Sequence, residues 1–290
     1  MLSIRGCEFV YFLDGLVYVF WCYIFNVVSM LIDSNAYIGH WPFRRFNSNT
    51  LEALLKLMDE FGVAFSLVSN LHGVFYKNTQ HSNEELYDLI RSKMVYRDRF
   101  IPIAVLNPTF GGWQYDFAEC IDHMGMKGVR LYPRYHNYDI THPNCIELVK
   151  MCRDSGIPII FSMRMVDSRS SSWLDLEKEW SLRDIMPVIR AVPDAKYLVV
   201  NASNSLGLNE EDQELLKKVK VLVDTSGRLP GWPVELLKNL GSGKFCFGTH
   251  APLLDYASGL IRVESLDGGE VSREEKEGIR SENIRRLFGI

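Results

Sequence analysis

From residue 30 onward, short apolar runs alternate with segments whose apolar positions recur every three or four residues. The runs occupy residues 30–33, 65–70, 100–106, 128–132, 158–163, 197–200, 219–224 and 245–247. They are largely continuous rather than alternating, the pattern of parallel strands covered on both faces. Between them, Leu51/Leu54/Leu55/Met58, Leu86/Leu89/Ile90 and Phe117/Cys120/Ile121 carry helical spacing. Strand starts recur every roughly 25–40 residues, which suits successive βα units.

Eight such units in about 260 residues predict an α/β fold, a (β/α)8 TIM barrel. The main rival, a doubly wound open sheet, lacks support because no GxGxxG or P-loop follows any run. No internal linker or low-complexity segment divides residues 30–290, so they are read as one domain. The segment 272–286, with Ile279, Ile284 and Leu287 as apolar anchors, predicts a closing amphipathic helix. Ser272 and Glu275 stand at capping-box spacing at its start.

Residues 1–29 form a separate apolar extension. Residues 16–28 are almost continuously apolar and aromatic, but a span needs about 20 such residues and Asp14 interrupts one side. Extending the other way borrows Met30-Leu31-Ile32, which the barrel needs for its first strand. Arg5 with Glu8 makes a poor signal n-region, and Val27-Val28-Ser29 a weak cleavage site. Three readings stay open: a membrane anchor, a signal sequence, or a gene-start error with translation beginning at Met30. A membrane partner is expected only if the extension is genuine.

Composition changes the picture by exclusion. At 47% apolar and 23% charged the chain is ordinary and globular. A net charge of −4 argues against a nucleic-acid partner, which calls for a basic face. The six cysteines form no CxxC pair, and none stands near histidine at zinc-finger spacing. Four fall in apolar segments, where a reduced thiol packs as a small hydrophobe, and a reducing cytoplasm is the simplest compartment. The sequon Asn201-Ala202-Ser203 lies at a strand end and is read as chance.

Barrels of this kind build their sites at the C-terminal ends of the strands. Four motifs stand there or at strand entries: Ile32-Asp33-Ser34-Asn35-Ala36-Tyr37-Ile38-Gly39, Gly128-Val129-Arg130-Leu131-Tyr132-Pro133, Gly156-Ile157-Pro158 and Gly248-Thr249-His250-Ala251-Pro252. With them the chain, from about Met30 to Ile290, resembles the amidohydrolase-related, metal-dependent hydrolase family of TIM barrels. Members of that family hold one or two divalent metals, which activate water for hydrolysis or assist decarboxylation. Carried over by position, the two strand-one histidines of the family fall on Asn35 and Tyr37. The strand-five histidine falls on Ser162, the strand-six histidine on Asn201 and the strand-eight aspartate on His250. Zinc wants thiolate, imidazole or carboxylate ligands. The resemblance therefore implies that the family's metal site is lost, with no metal and no other cofactor expected.

Side chains two apart on a strand share a face, so Asn35 with Tyr37, Arg130 with Tyr132, and Ser162 with Arg164 form inward pairs, joined by Asn201 and His250. Two arginines converging on a barrel mouth point to an anion, a carboxylate or phosphate. The alternative is that Arg130 and Arg164 pair with Asp33 or Asp167 and only hold loops together. His250 is the candidate general acid–base, with an ordinary pKa near 6.5, against a structural histidine bonded to a loop carbonyl. His40 is a candidate for the mouth against a loop surface position, Tyr135-His136-Asn137-Tyr138 for the mouth against aromatic loop packing, and Asp167 with Arg169 for a lid against a local ion pair. His72, His81, His123 and His142 read as surface or packing residues. No Gly-x-Ser-x-Gly elbow surrounds Ser162, and no close carboxylate pair supports glycosidase chemistry.

The sequence thus predicts a hydrolase or lyase acting on a small anionic or amide-bearing metabolite in a metal-free pocket. A non-catalytic binding or regulatory barrel is the alternative, and assembly into a homo-oligomer is left open.

Overall fold

The computed structural model describes residues 9–13, 16–20, 30–166, 181–202, 208–227, 237 and 239–290. Asp167, Arg169 and Ser203 lie outside the described residues. Within the extension, Phe9–Leu13 and Leu16–Phe20 pair as an antiparallel hairpin. Among the described residues, no helix is long and apolar enough to cross a membrane.

Eight parallel strands form a (β/α)8 barrel, one for each apolar run. They are Ile32–Ile38, Phe65–Asn70, a third in two pieces (Phe100–Pro102 and Ala104–Val105), Val129–Leu131, Ile159–Ser162, Lys196–Val200, Lys220–Asp224 and Phe245–Cys246. The third strand changes partner at Ile103: its first piece pairs with strand two and its second with strand four. The ring closes between strands eight and one. Ser34 N–H donates to the Phe247 carbonyl at 2.9 Å, His250 N–H to the Asn35 carbonyl at 2.7 Å, and Tyr37 N–H to the Ala251 carbonyl at 2.8 Å.

Helices lie where the three- and four-residue spacing puts them. Leu51–Phe61 turns Leu51, Leu54 and Met58 to the core, starts at the Thr50 cap, and stops at Gly62 in the left-handed region with φ 69°. Outward-facing Val129, Leu131, Tyr197, Val199, Val221 and Val223 meet the helical layer in one apolar cluster. Burial of each such side chain contributes about 1.5–3 kcal/mol.

Two elements differ from the sequence reading. Strand one runs from Ile32 to Ile38 and is buried throughout, well past the apolar run at 30–33. A bulge between Asp33 and Ala36 shifts its register. The extra residue changes the phase, so Ile32 and Asn35, three apart, both face the interior. The closing helix is interrupted: Arg273–Glu277, then a π-turn Gly278–Glu282, then Asn283–Phe288. The Ser272/Glu275 capping box is present.

The barrel interior is tiered. Ile32, Leu67, Ile103, Ile160, Leu198, Leu222 and Cys246 fill the lower tier, sealed by Ile284, Leu287 and Phe288 of the last helix. At the opposite end Trp41, Leu71, Val74, Met165 and Leu253 pack over Tyr37 and Tyr132 as an apolar cap. Between these tiers the interior turns polar.

Candidate functional site

Asn35 is the centre of the polar tier. Its amide oxygen accepts from Arg130 Nη1 at 3.0 Å. Its amide nitrogen lies 2.8 Å from Asp224 Oδ2, 2.9 Å from His250 Nδ1 and 3.3 Å from Ser226 Oγ. The bulge in strand one is what turns this amide inward among strands four, seven and eight.

Asp224 ends strand seven and is fully buried. It accepts from the Asn201 backbone N–H at 2.8 Å and from Ser226 Oγ at 2.7 Å. Sequence reasoning did not single it out, although an acidic residue ending a buried run at a strand's C-terminal end was a usable signal.

His250 has no exposed surface and sits at φ 61°. Its Nε2 lies 2.7 Å from the Met165 carbonyl, which can only accept, so Nε2 carries the proton and Nδ1 accepts from Asn35. Burial pushes its pKa down to about 3; the Met165 carbonyl opposes this, while Arg130 and Arg164 add to it. The near-neutral titration expected from sequence does not survive this desolvation. Both ring nitrogens are engaged in the neutral form.

Asn201, also left-handed at φ 52°, donates from Nδ2 to the Arg164 carbonyl at 2.7 Å. Arg164 in turn donates from Nη2 to the Gly227 carbonyl at 2.8 Å and approaches Asn201 Oδ1 at 3.4 Å. Its guanidinium thus ties the ends of strands five, six and seven. Arg130 and Arg164, paired in the sequence reading, have different surroundings.

Arg130 is completely buried, with its guanidinium carbon 4.4 Å from the centre of the Tyr37 ring. Among the described residues, its Nε and Nη2 and the hydroxyls of Tyr37, Tyr132 and Ser162 make no well-aligned hydrogen bond, although Tyr132 lies within reach of Arg130, Ser162 and Tyr37. These groups are close enough to bias one another's ionisation. Burial raises the Tyr132 pKa, while Arg130, Ser162 and Tyr37 pull it down. Burial likewise holds the Tyr37 phenol protonated, against the opposing pull of Arg130. Five buried polar atoms without a well-aligned partner, two of them on the guanidinium and three on hydroxyls beside it, is far from the usual state of a protein interior.

The remaining candidates lie around the mouth. His40 is exposed, and its Nδ1 is 3.0 Å from Asn49 Nδ2. His72 bonds Glu85 at 2.7 Å through Nδ1, and its Nε2 accepts the His40 backbone N–H at 3.1 Å. His142 caps the helix Pro143–Asp154. Among the described residues, no three His, Cys, Asp or Glu side chains cluster as a metal site.

No protein-family model and no curated protein sequence matches the chain. Solved structures do. A 2,6-dihydroxybenzoate decarboxylase from Rhizobium superposes with a TM-score of 0.69 at 13% identity, over 90% of this chain and 98% of the other. A dihydroxybenzoic acid decarboxylase from Polaromonas, with bound manganese and the inhibitor 2-nitroresorcinol, gives 0.69 at 12%, over 90% and 97%. The 5-carboxyvanillate decarboxylase of Sphingomonas paucimobilis gives 0.67 at 13%, over 90% and 99%. The likeness establishes the fold, a (β/α)8 barrel. At such low identity, function has to be argued from the site.

Proposed function

We propose that this protein is an amidohydrolase-related barrel that binds a small carboxylate anion at Arg130 and acts on it as a lyase or hydrolase. The observation that carries the reading is the buried guanidinium, with two unpartnered nitrogens beside three unpartnered hydroxyls. Leaving a buried donor unmade costs about 1–3 kcal/mol each, more for a charged group. A carboxylate relieves that cost, because one oxygen takes the guanidinium and the other the hydroxyls. The structural neighbours named for decarboxylation of small aromatic acids are in keeping with such a ligand.

The donor set does not suit a divalent metal. The Asn35 oxygen is engaged by Arg130, the His250 nitrogens by Asn35 and Met165, and the Tyr37 phenol stays protonated. Arg130 already supplies a fixed positive charge, and each further unit about 4 Å away costs about 4 kcal/mol at an effective dielectric near 20.

A second reading, a binding barrel without turnover, draws on His250. An imidazole with a pKa near 3 and both nitrogens bonded is a poor proton acceptor at neutral pH. The test of the first reading is titration calorimetry with acetate, butyrate and benzoate, followed by product analysis of any acid that binds. Saturable binding lost in Arg130→Met supports it. Binding that persists in that variant contradicts it.

A further inference from the structure

His136 stands on the turn after strand four, four residues beyond Tyr132, with its backbone N–H bonded to the Tyr132 carbonyl at 2.9 Å. Asn137 beside it adopts φ 54°, and Tyr138 N–H returns to the Pro133 carbonyl at 3.0 Å, so the turn is fixed at both ends. A non-glycine residue in the left-handed region costs about 1–2 kcal/mol and persists only where its surroundings hold it.

The imidazole is fixed as well. Its Nε2 lies 2.9 Å from the Gly73 carbonyl, an acceptor, so Nε2 bears the proton and Nδ1 presents a lone pair. Gly73 is brought there by close packing: a Cβ at that position would fall 2.6 Å from Ser82 Oγ and 2.8 Å from Val105 Cβ. Val105 belongs to the apolar cap with Tyr37 and Tyr132. The carbonyl that sets the tautomer is thus anchored to the apolar cap that covers Tyr37 and Tyr132.

Among the described residues Nδ1 has no hydrogen-bond partner, and it is shielded from solvent. The Tyr138 ring lies roughly parallel, at 6.5 Å between centroids and 30° between planes. The Tyr132 ring stands nearly perpendicular at 5.9 Å and 83°. The Tyr132 hydroxyl neighbours Arg130 and Ser162. One aromatic side chain therefore separates the Nε and Nη2 side of the guanidinium from the open imidazole nitrogen.

We propose that His136 Nδ1 is a ligand-binding acceptor, taking a hydrogen bond from a hydroxyl or N–H group of the anion whose carboxylate Arg130 holds. The inference rests on the carboxylate reading of the site. It makes the ligand two-headed, an acid carrying a neutral donor at its far end. The role asked of Nδ1 needs no titration, because burial favours the neutral imidazole that accepts.

The test compares acids with and without that donor: propionate with 3-hydroxypropionate, butyrate with 4-hydroxybutyrate, and pentanoate with 5-hydroxypentanoate. In the wild-type protein the hydroxy acid of at least one pair should bind about tenfold tighter, the usual worth of one such bond. His136→Gln places an amide nitrogen near Nε2, keeps the Gly73 bond, and removes the acceptor. It should equalise that pair while leaving the parent acid's affinity unchanged. Nitrogen NMR of the wild-type protein, which needs no variant to fold, should show the His136 Nδ1 resonance shift with the hydroxy acid and stay fixed with its parent. Equal affinities within every pair, an unmoved Nδ1 resonance, or a preference that survives His136→Gln overturns the role of His136 while carboxylate binding stands. Failure of every acid to bind, or binding that survives Arg130→Met, overturns the carboxylate reading and the inference with it.

Discussion

Arg130 and Asn35 meet across the barrel, Nη1 to Oδ1 at 3.0 Å, and this contact joins strand four to strand one through the polar tier. The same amide offers its nitrogen to Asp224 and His250, so one neutral side chain spaces a cation from an anion and orients an imidazole.

Asn35→Asp should therefore be strongly destabilising at neutral pH. The new carboxylate keeps Arg130 but removes the donor to Asp224 and brings two buried carboxylates together. Breaking such a network costs about 3–5 kcal/mol. Urea denaturation checks the magnitude, and the loss should shrink on acidification, when one of the two carboxylates is protonated.

Two buried groups give opposite pH trends. Asp33 accepts from Asn35 N, Thr249 N and Thr249 Oγ1, and burial, partly offset by these bonds, raises its pKa to about 6. The folded state then binds its proton more tightly than the unfolded chain. Stability from this group is full below about pH 4 and is lost as pH rises through 6, on the order of 2–3 kcal/mol. His250 runs the other way. Its folded pKa of about 3 lies below the unfolded 6.5, so stability is full above that value and falls as pH drops toward 3. Because the two contributions oppose each other between pH 4 and 6, unfolding free energies measured from pH 3 to 8 should rise more with pH over that window in Asp33→Asn than in the wild type, and fall more in His250→Gln.

Gly227→Ala should damage the link between strands six and seven. Gly227 has φ 71°, and a Cβ there would lie 1.6 Å from Asn201 Oδ1. Strain and displacement together should cost about 2 kcal/mol or more. Circular-dichroism melting should show a marked fall, and Gly62→Ala, whose Cβ meets nothing within 4 Å, a smaller one.

How much of this was legible in the sequence follows from packing. All eight strands were readable because helices cover one face and the interior fills the other, leaving apolar runs such as 197–200 and 219–224. The polar half of strand one was not. Ser34 and Asn35 break the apolar run, and only the bulge makes their burial possible. Asn35, Tyr37, Arg130, Tyr132, Ser162, Asn201 and His250 were named from strand-end positions, and the fold gathers them around one interior. Their partners were not readable, because groups such as the Met165 carbonyl that meets His250 and the Asp224 carboxylate that meets Asn35 come from segments remote in sequence. The same remoteness hid the difference between Arg130 and Arg164, and the distinct role open to His136.

Metal dependence separates the account from the family pattern in a simple assay. Protein purified without chelator should carry well under one equivalent of zinc, manganese or iron. Prolonged EDTA treatment should leave its melting temperature and any carboxylate binding unchanged. One tightly held metal per chain, or loss of binding on chelation, would contradict the placing of Arg130 as the site's fixed cation.

The central claim, that the buried Arg130 guanidinium is a carboxylate anchor, is tested most directly by calorimetric titration of wild-type protein and Arg130→Met with the same small acids. The account predicts saturable binding to the wild type and a loss of about ten- to a hundredfold in the variant, the worth of about 1.5–3 kcal/mol in charged hydrogen bonds. The melting temperature should fall as well, since Arg130→Met leaves the Asn35 oxygen without its donor and takes away the buried cation that offsets Asp224, so the affinity is the deciding readout. Unchanged affinity together with a large fall in melting temperature would show that Arg130 only braces the barrel.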